Sequence, residues 1–143
     1  MDGVSMLPTL AEAGEVVVED RLTYKFRSIR RGELVVLKSP LDPNRIICKR
    51  VLGLPGDIVC VDPTGQLAPP TEHVTVPQGH IWIIGDNASW SRDSREYGPV
   101  SISLIRARLA FRVSLMSSSM LYANPLHQVW PLQRLTSQMT FLN

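Results

Sequence analysis

The sequence predicts a mainly β domain of antiparallel strands, arranged as a barrel or sandwich, with little helix. Three observations carry that expectation. Eleven prolines and nine glycines are spread so evenly that few windows can hold a helix of three turns. Between them recur short runs rich in Val and Ile, each bounded by turn residues, at the spacing of an antiparallel fold. Finally, 143 residues suit a single domain, and 44% hydrophobic with 20% charged residues is enough apolar material for an ordinary core.

In chain order the expected strands are Glu15 to Glu19, Glu33 to Lys38, Ile46 to Leu52, Ile58 to Val61, His73 to Val76, His80 to Ile84 and Arg106 to Val113. Arg30-Arg31-Gly32, Leu54-Pro55-Gly56-Asp57 and Pro77-Gln78-Gly79 have turn chemistry, Gly supplying positive φ and Pro pre-setting it. Val100 to Asn124 lacks Gly and has Pro only beyond it, so a helix there is the second choice.

Charge and hydropathy remove several function classes. Fifteen basic against 13 acidic residues, with no basic run, give no electrostatic footprint for nucleic acid. Apolar runs such as Ile81 to Ile84 fall far short of the roughly 20 residues that span a bilayer. Met1 is followed at once by Asp2, Gly3 and a structured motif, so any address or anchor is expected to lie upstream or to be missing. Cys48 and Cys60, with His73 and His80, lack zinc-ligand spacing; two half-buried thiols in adjacent strands and no metal are expected.

Three segments carry chemistry. Lys49 is one of only three lysines and lies inside Ile46-Ile47-Cys48-Lys49-Arg50-Val51-Leu52. Side chains alternate along a strand, so Lys49 shares a face with Ile47 and Val51. Burial there disfavours the ammonium, and a neutral amine can act as a general base. Read alone, the segment also fits an edge lysine whose stem covers apolar surface while its head reaches water. Ser5, in Gly3-Val4-Ser5-Met6-Leu7-Pro8-Thr9-Leu10, fits either a turn serine or a nucleophile on a rigid segment, its N–H turned to an oxyanion. The third segment, Gly85 to Val100, is dense in hydrogen-bonding groups. Asp86 and Asn87 suit tight turns, Asp93 and Arg95 can pair, and Ser91 or Ser94 can orient a neighbouring amine. Asn87-Ala88-Ser89 also fits a glycosylation sequon, a match common by chance.

Together S-M-x-P-T, K-R-V-x-G-x-x-G-D and G-D-N-x-x-x-S-x-D-S-R-x-x-G-P, with Arg31-Gly32-Glu33-Leu34-Val35-Val36 between the first two, resemble the type I signal peptidase family from Gly3 to about Arg112. Ile47 to Val51, Gly79 to Trp82 and Ser94 to Pro99 look most like its mitochondrial inner membrane branch. The resemblance implies coiled, barrel-like antiparallel sheets and an endopeptidase that removes sorting presequences from proteins delivered to the intermembrane space. It implies Ser5 as nucleophile, Lys49 as general base, Ser91 bonded to the lysine, and Asp93 with Arg95 as a supporting ion pair. Many bacterial relatives carry an oxyanion-donating serine where Gly3 stands, which leaves the backbone of Ser5 for that role. No metal or organic cofactor is implied. The implied partners are presequence-bearing substrates, a second homologous catalytic subunit, a small accessory subunit and, through a helix upstream of residue 1, the inner membrane, with the catalytic domain facing the intermembrane space.

Rival readings are a Ser-His-Asp hydrolase using His73 or His80, and an inactive truncated relative acting at most as a binding subunit. Self-cleaving repressors share the dyad, but only four residues precede Ser5 here. The tail departs from the family. Relatives run from aromatic-Arg almost directly into Trp-Pro, whereas Val113 to Val129 separate Phe111-Arg112 from Trp130-Pro131. Removing the 16 residues Val113 to Gln128, which contain no Asp, Glu, Lys or Arg, restores Phe-Arg-Val-Trp-Pro-Leu. The expected organisation is therefore a peptidase domain over 1–112, an insertion or translated intron over 113–128, and a C-terminal tail over 129–143. Codon degeneracy allows a donor at Val113-Ser114, a branch site at Ala123-Asn124 and an acceptor at Gln128.

Overall fold

A computed structural model describes residues 3–10, 15–22, 25, 27–116 and 120–125. Its strands are β1 (Glu15–Asp20), β2 (Leu34–Lys38), β3 (Ile46–Gly53), β4 (Ile58–Cys60), β5 (His73–Thr75), β6 (His80–Ile84), β7 (Val100–Ser101), β8 (Ile105–Met116) and β9 (Met120–Pro125). Seven form one antiparallel sheet in the order β1-β8-β2-β3-β6-β7, with β9 also paired to β8. β4 and β5 make a separate antiparallel ribbon. The mainly β, antiparallel expectation therefore holds, and helix is confined among the described residues to short 3-10 turns and one α-helical turn, α1 (Ser94–Tyr97).

Packing on both faces explains why the central strands read as unbroken apolar runs. On β2 and β3, Leu34, Val36 and Cys48 face one cluster with Met6, Leu10, Ala107 and Leu109. Val35, Leu37 and Val51 face the other, with Ile81, Ile83, Val100 and Ile105. A third cluster, Leu52, Val59, Val61, Val76, Trp82 and Ile84, joins the ribbon to the sheet. Full burial of a Val, Leu or Ile side chain stabilises by roughly 1.5–3 kcal/mol, so this two-sided centre is the rigid part of the domain. β1 is different: Val16 and Val18 are exposed while Val17 packs on the first cluster. Register shifts at Val18/Glu19, Val36/Leu37 and Val51/Gly53 mark bulges that bend the sheet.

The seven expected strands are all present: His80 to Ile84 matches at both ends, and no end of the others is displaced by more than three residues. The turn after β3 carries Gly56 at φ +89°, a conformation that a side chain disfavours. Not anticipated were the two-residue β7 and the strand β9. The second-choice helix over Val100 to Asn124 is not formed; that stretch contains β7, a 3-10 turn, β8 and most of β9. β8 passes residue 112 without a break and pairs with β9 from Phe111 opposite Pro125 to Met116 opposite Met120. Residues 117–119 and 126–143, which include part of the 113–128 segment and the whole of the 129–143 tail, lie outside the described residues. Cys48 and Cys60 are both free and fully buried, not half-buried. They lie in consecutive strands of different sheets, because the bulged end of β3 leads through a turn into the ribbon.

Candidate active site

Lys49 sits in the middle of β3, opposite Val35 of β2, and is only 3% exposed. Alternation places it with Ile47 and Val51, as expected, on the face of the second apolar cluster. Desolvation lowers its pKa below the ordinary lysine value, the neighbouring Asp93 carboxylate acting in the opposite direction and the guanidiniums of Arg45 and Arg95 adding to the fall. Its Nζ donates to Ser91 Oγ at 2.9 Å. The edge-lysine alternative, with its head in water, does not describe this side chain.

Ser5 is carried by a 3-10 turn, Gly3–Met6. Local geometry favours this: Leu7 N–H donates to Val4 O and Leu10 N–H to Met6 O, while the buried Met6 and Leu10 anchor the turn in the first cluster. The Leu7–Pro8 peptide is cis. Ser5 and Lys49 line the same cavity, about 460 Å³ in volume. Its walls are Val4, Met6 and Leu10 from the N-terminal segment, Ile46, Ile47 and Cys48 from β3, Trp90 and Arg92 from the loop after β6, and Tyr97 from α1; the turn between β2 and β3 adds Ser39, Leu41, Asp42 and Arg45. A serine and a buried amine at one cleft can perform acyl transfer, the amine removing the hydroxyl proton. Cys48 lines the cleft as well, but burial pushes its thiol up to about 12, which keeps it a weak nucleophile near neutral pH.

Behind Lys49 the loop forms one connected network. Ser91 Oγ donates to Asp93 Oδ2 at 2.7 Å, and Gly85 N–H donates to the same oxygen at 2.9 Å. Arg95 grips Asp93 from Nε to Oδ1 and from Nη2 to Oδ2, both at 2.9 Å. Asp93 also caps α1 by accepting from Arg95 N–H. With Asp93 fully buried, these donors replace the water it has lost. Ser94, the other serine that could have oriented the amine, instead accepts from Ile83 N–H at 3.0 Å.

The structure thus brings Ser5, Lys49, Ser91, Asp93 and Arg95 to one place. His73 and His80 are not on the cavity; their Nδ1 atoms lie against the carbonyls of Thr71 and Gln78. Among the described residues no group of three or more His, Cys, Asp or Glu is placed to hold a metal ion. Sequence reasoning missed Gly85 and Asn87. A Cβ at Gly85 would lie 2.2 Å from Ser91 Oγ and 2.6 Å from Ser5 O. Asn87 binds the Ser5 turn through its main-chain N–H and side chain, so its side-chain nitrogen, the atom a glycan would need, is engaged. The one available signal was their place at the head of the hydrogen-bonding loop.

A match to the signal peptidase, peptidase S26, family covers residues 1–68 and 62–114, and the chain belongs to that family. "Mitochondrial inner membrane protease subunit 1" of Schizosaccharomyces pombe is 46% identical over 112 residues, covering 78% of this chain and 69% of that protein. "Mitochondrial inner membrane protease subunit 2" of Danio rerio is 38% identical over 112 residues, covering 76% and 58%. A solved signal peptidase I from Enterococcus faecalis V583 aligns with a TM-score of 0.46 at 22% identity, over 58% of this chain and 97% of that one. The chain spans about two thirds of the length of the subunit 1 relatives it matches.

Proposed function

We propose that this chain is a serine endopeptidase of the mitochondrial inner membrane that removes sorting presequences from proteins delivered to the intermembrane space. The observation that carries the chemistry is Lys49: buried, with a lowered pKa, bonded to Ser91 and lining the same cavity as Ser5. In the acylation step Ser5 Oγ attacks the scissile carbonyl carbon while its proton passes to the neutral Nζ of Lys49. The oxyanion is met by the Ser5 main-chain N–H. As the C–N bond breaks, Lys49 returns the proton to the leaving amine, and an ester to Ser5 remains. Water then attacks the ester, losing its proton to Lys49, and the serine is regenerated as the new carboxyl terminus departs. Ser91 orients the amine, and Asp93 with Arg95 holds Ser91.

The membrane assignment rests on relatives named as subunits of a mitochondrial inner membrane protease. That both subunit 1 and subunit 2 are among them supports a second homologous catalytic subunit as partner; a small accessory subunit and an upstream anchor helix complete the assembly. The test is cleavage of a peptide spanning a sorting-presequence junction by protein carrying its upstream anchor. Wild type should cleave at one bond, and Ser5→Ala and Lys49→Arg should not, because a guanidinium stays charged near neutral pH. Cleavage surviving in either variant, or absent from the wild type assembled with its partner subunit, would overturn the reading.

A further inference from the structure

The two halves of the dyad are held by different kinds of structure. Lys49 belongs to β3, whereas Ser5 rides on a short turn that lies outside every strand. Two hydrogen bonds reach that turn from the loop after β6, and both come from Asn87. Its main-chain N–H donates to Ser5 O at 3.0 Å, and its Nδ2 donates to Val4 O at 2.9 Å. Two donors on successive carbonyls fix the orientation of the turn, where one would leave it free to swivel.

Asn87 is itself tied to the lysine strand. Its neighbour Asp86 receives Arg50 Nε at 2.9 Å and Nη2 at 2.7 Å, with both side chains buried. Arg50 Nη1 also donates to Gly32 O at 2.6 Å. Arg50 follows Lys49 directly and pairs with Ile84 across the sheet. Asn87 further accepts from Trp90 N–H, which closes the turn leading to Ser91. A continuous rigid path therefore runs from Lys49 through Arg50, Asp86 and Asn87 to Val4 and Ser5, separate from the path through Ser91.

We propose that Asn87 is a positioning residue that sets Ser5 against Lys49, Arg50 and Asp86 supplying the fixed base from which it acts. This rests on the peptidase reading above. A nucleophile misplaced by about 1 Å can cost on the order of a hundredfold in rate, while the distal cavity walls that grip substrate are untouched. Loss of the clip therefore falls on kcat rather than KM.

The experiment compares wild type with Asn87→Ala and Asn87→Asp, the second keeping the shape of the side chain while replacing its donor with a carboxylate facing a carbonyl. Cleavage of the junction peptide should show kcat lowered about 10- to 100-fold in both variants, with KM within about threefold. Amide hydrogen exchange supplies a readout independent of catalysis. Protection at Leu7 and at position 87 should fall about tenfold, with β2 and β3 unchanged, because one hydrogen bond of the turn is lost. Wild-type kcat in Asn87→Asp, a loss confined to KM, or exchange raised throughout the sheet would overturn the proposal. Failure of the wild type to cleave would sink the peptidase reading alone, and exchange at the turn would then decide the clip.

Discussion

Gly85→Ala is the smallest change that reaches every part of the site at once. A Cβ added there would meet Ser91 Oγ at 2.2 Å, Ser91 Cβ at 2.5 Å and Ser5 O at 2.6 Å, so the neighbours must retreat by roughly 1 Å to reach ordinary contact. None of these atoms is the free end of a flexible chain. Ser91 is held by Lys49 and Asp93, and Ser5 O by Asn87. Overpacking of this kind costs about 1–3 kcal/mol in stability. The same displacement pulls Ser91 off the amine and pushes the Ser5 turn outward, for which a loss of about a hundredfold or more in kcat is expected. The assay is cleavage of the junction peptide alongside urea unfolding of the same preparations. An alanine variant with wild-type kcat and stability within about 0.5 kcal/mol would refute the close packing of Ser5, Gly85 and Ser91 on which the site depends.

Ser91→Ala should lower kcat while leaving the unfolding midpoint almost unchanged, whereas Arg95→Ala strands a buried Asp93 and should destabilise by about 3 kcal/mol or more; equal melting temperatures for wild type and Arg95→Ala would contradict this. Lys49→Met should be more stable than wild type at pH 7. Because the folded-state pKa of Lys49 is depressed, the unfolded chain binds more protons between that pKa and 10.5, so wild-type stability gains up to about 1.4 kcal/mol per pH unit across this window and the advantage of the variant shrinks. Urea midpoints at pH 7 and pH 10 check the sign, and a variant less stable than wild type at pH 7 would reject it. Deleting Val113 to Gln128 should leave cleavage dependent on Ser5 and Lys49 if that segment is an insertion or translated intron; a deletion that abolishes cleavage in a folded protein would argue that it belongs to the domain.

What the sequence discloses here is local, and what it hides is long-range. The face of Lys49 follows from the two-residue period of a strand, which needs nothing beyond Ile47 and Val51 to be read. The turn at Gly56 is equally local. The choice between Ser91 and Ser94 is not, since it depends on α1 turning Ser94 towards Ile83 while Ser91 stays beside the amine. Asn87 and Val4 are 83 positions apart, so no spacing rule could join them. Gly85 is read in the sequence only as the start of the hydrogen-bonding segment, yet its lack of a side chain matters because Ser5 and Ser91 converge on it. The strands β7 and β9 escaped notice because pairing partners, rather than their own composition, make them strands.

The central claim is that a neutral Lys49 takes the proton of Ser5, and the pH dependence of kcat/KM for the junction peptide tests it most directly. The account predicts a single ascending limb whose midpoint lies below 10.5, the value of an ordinary lysine, and no activity at any point of the range for Lys49→Arg. A profile flat through neutral and alkaline pH, or an arginine variant that cleaves with the wild-type profile, would contradict it.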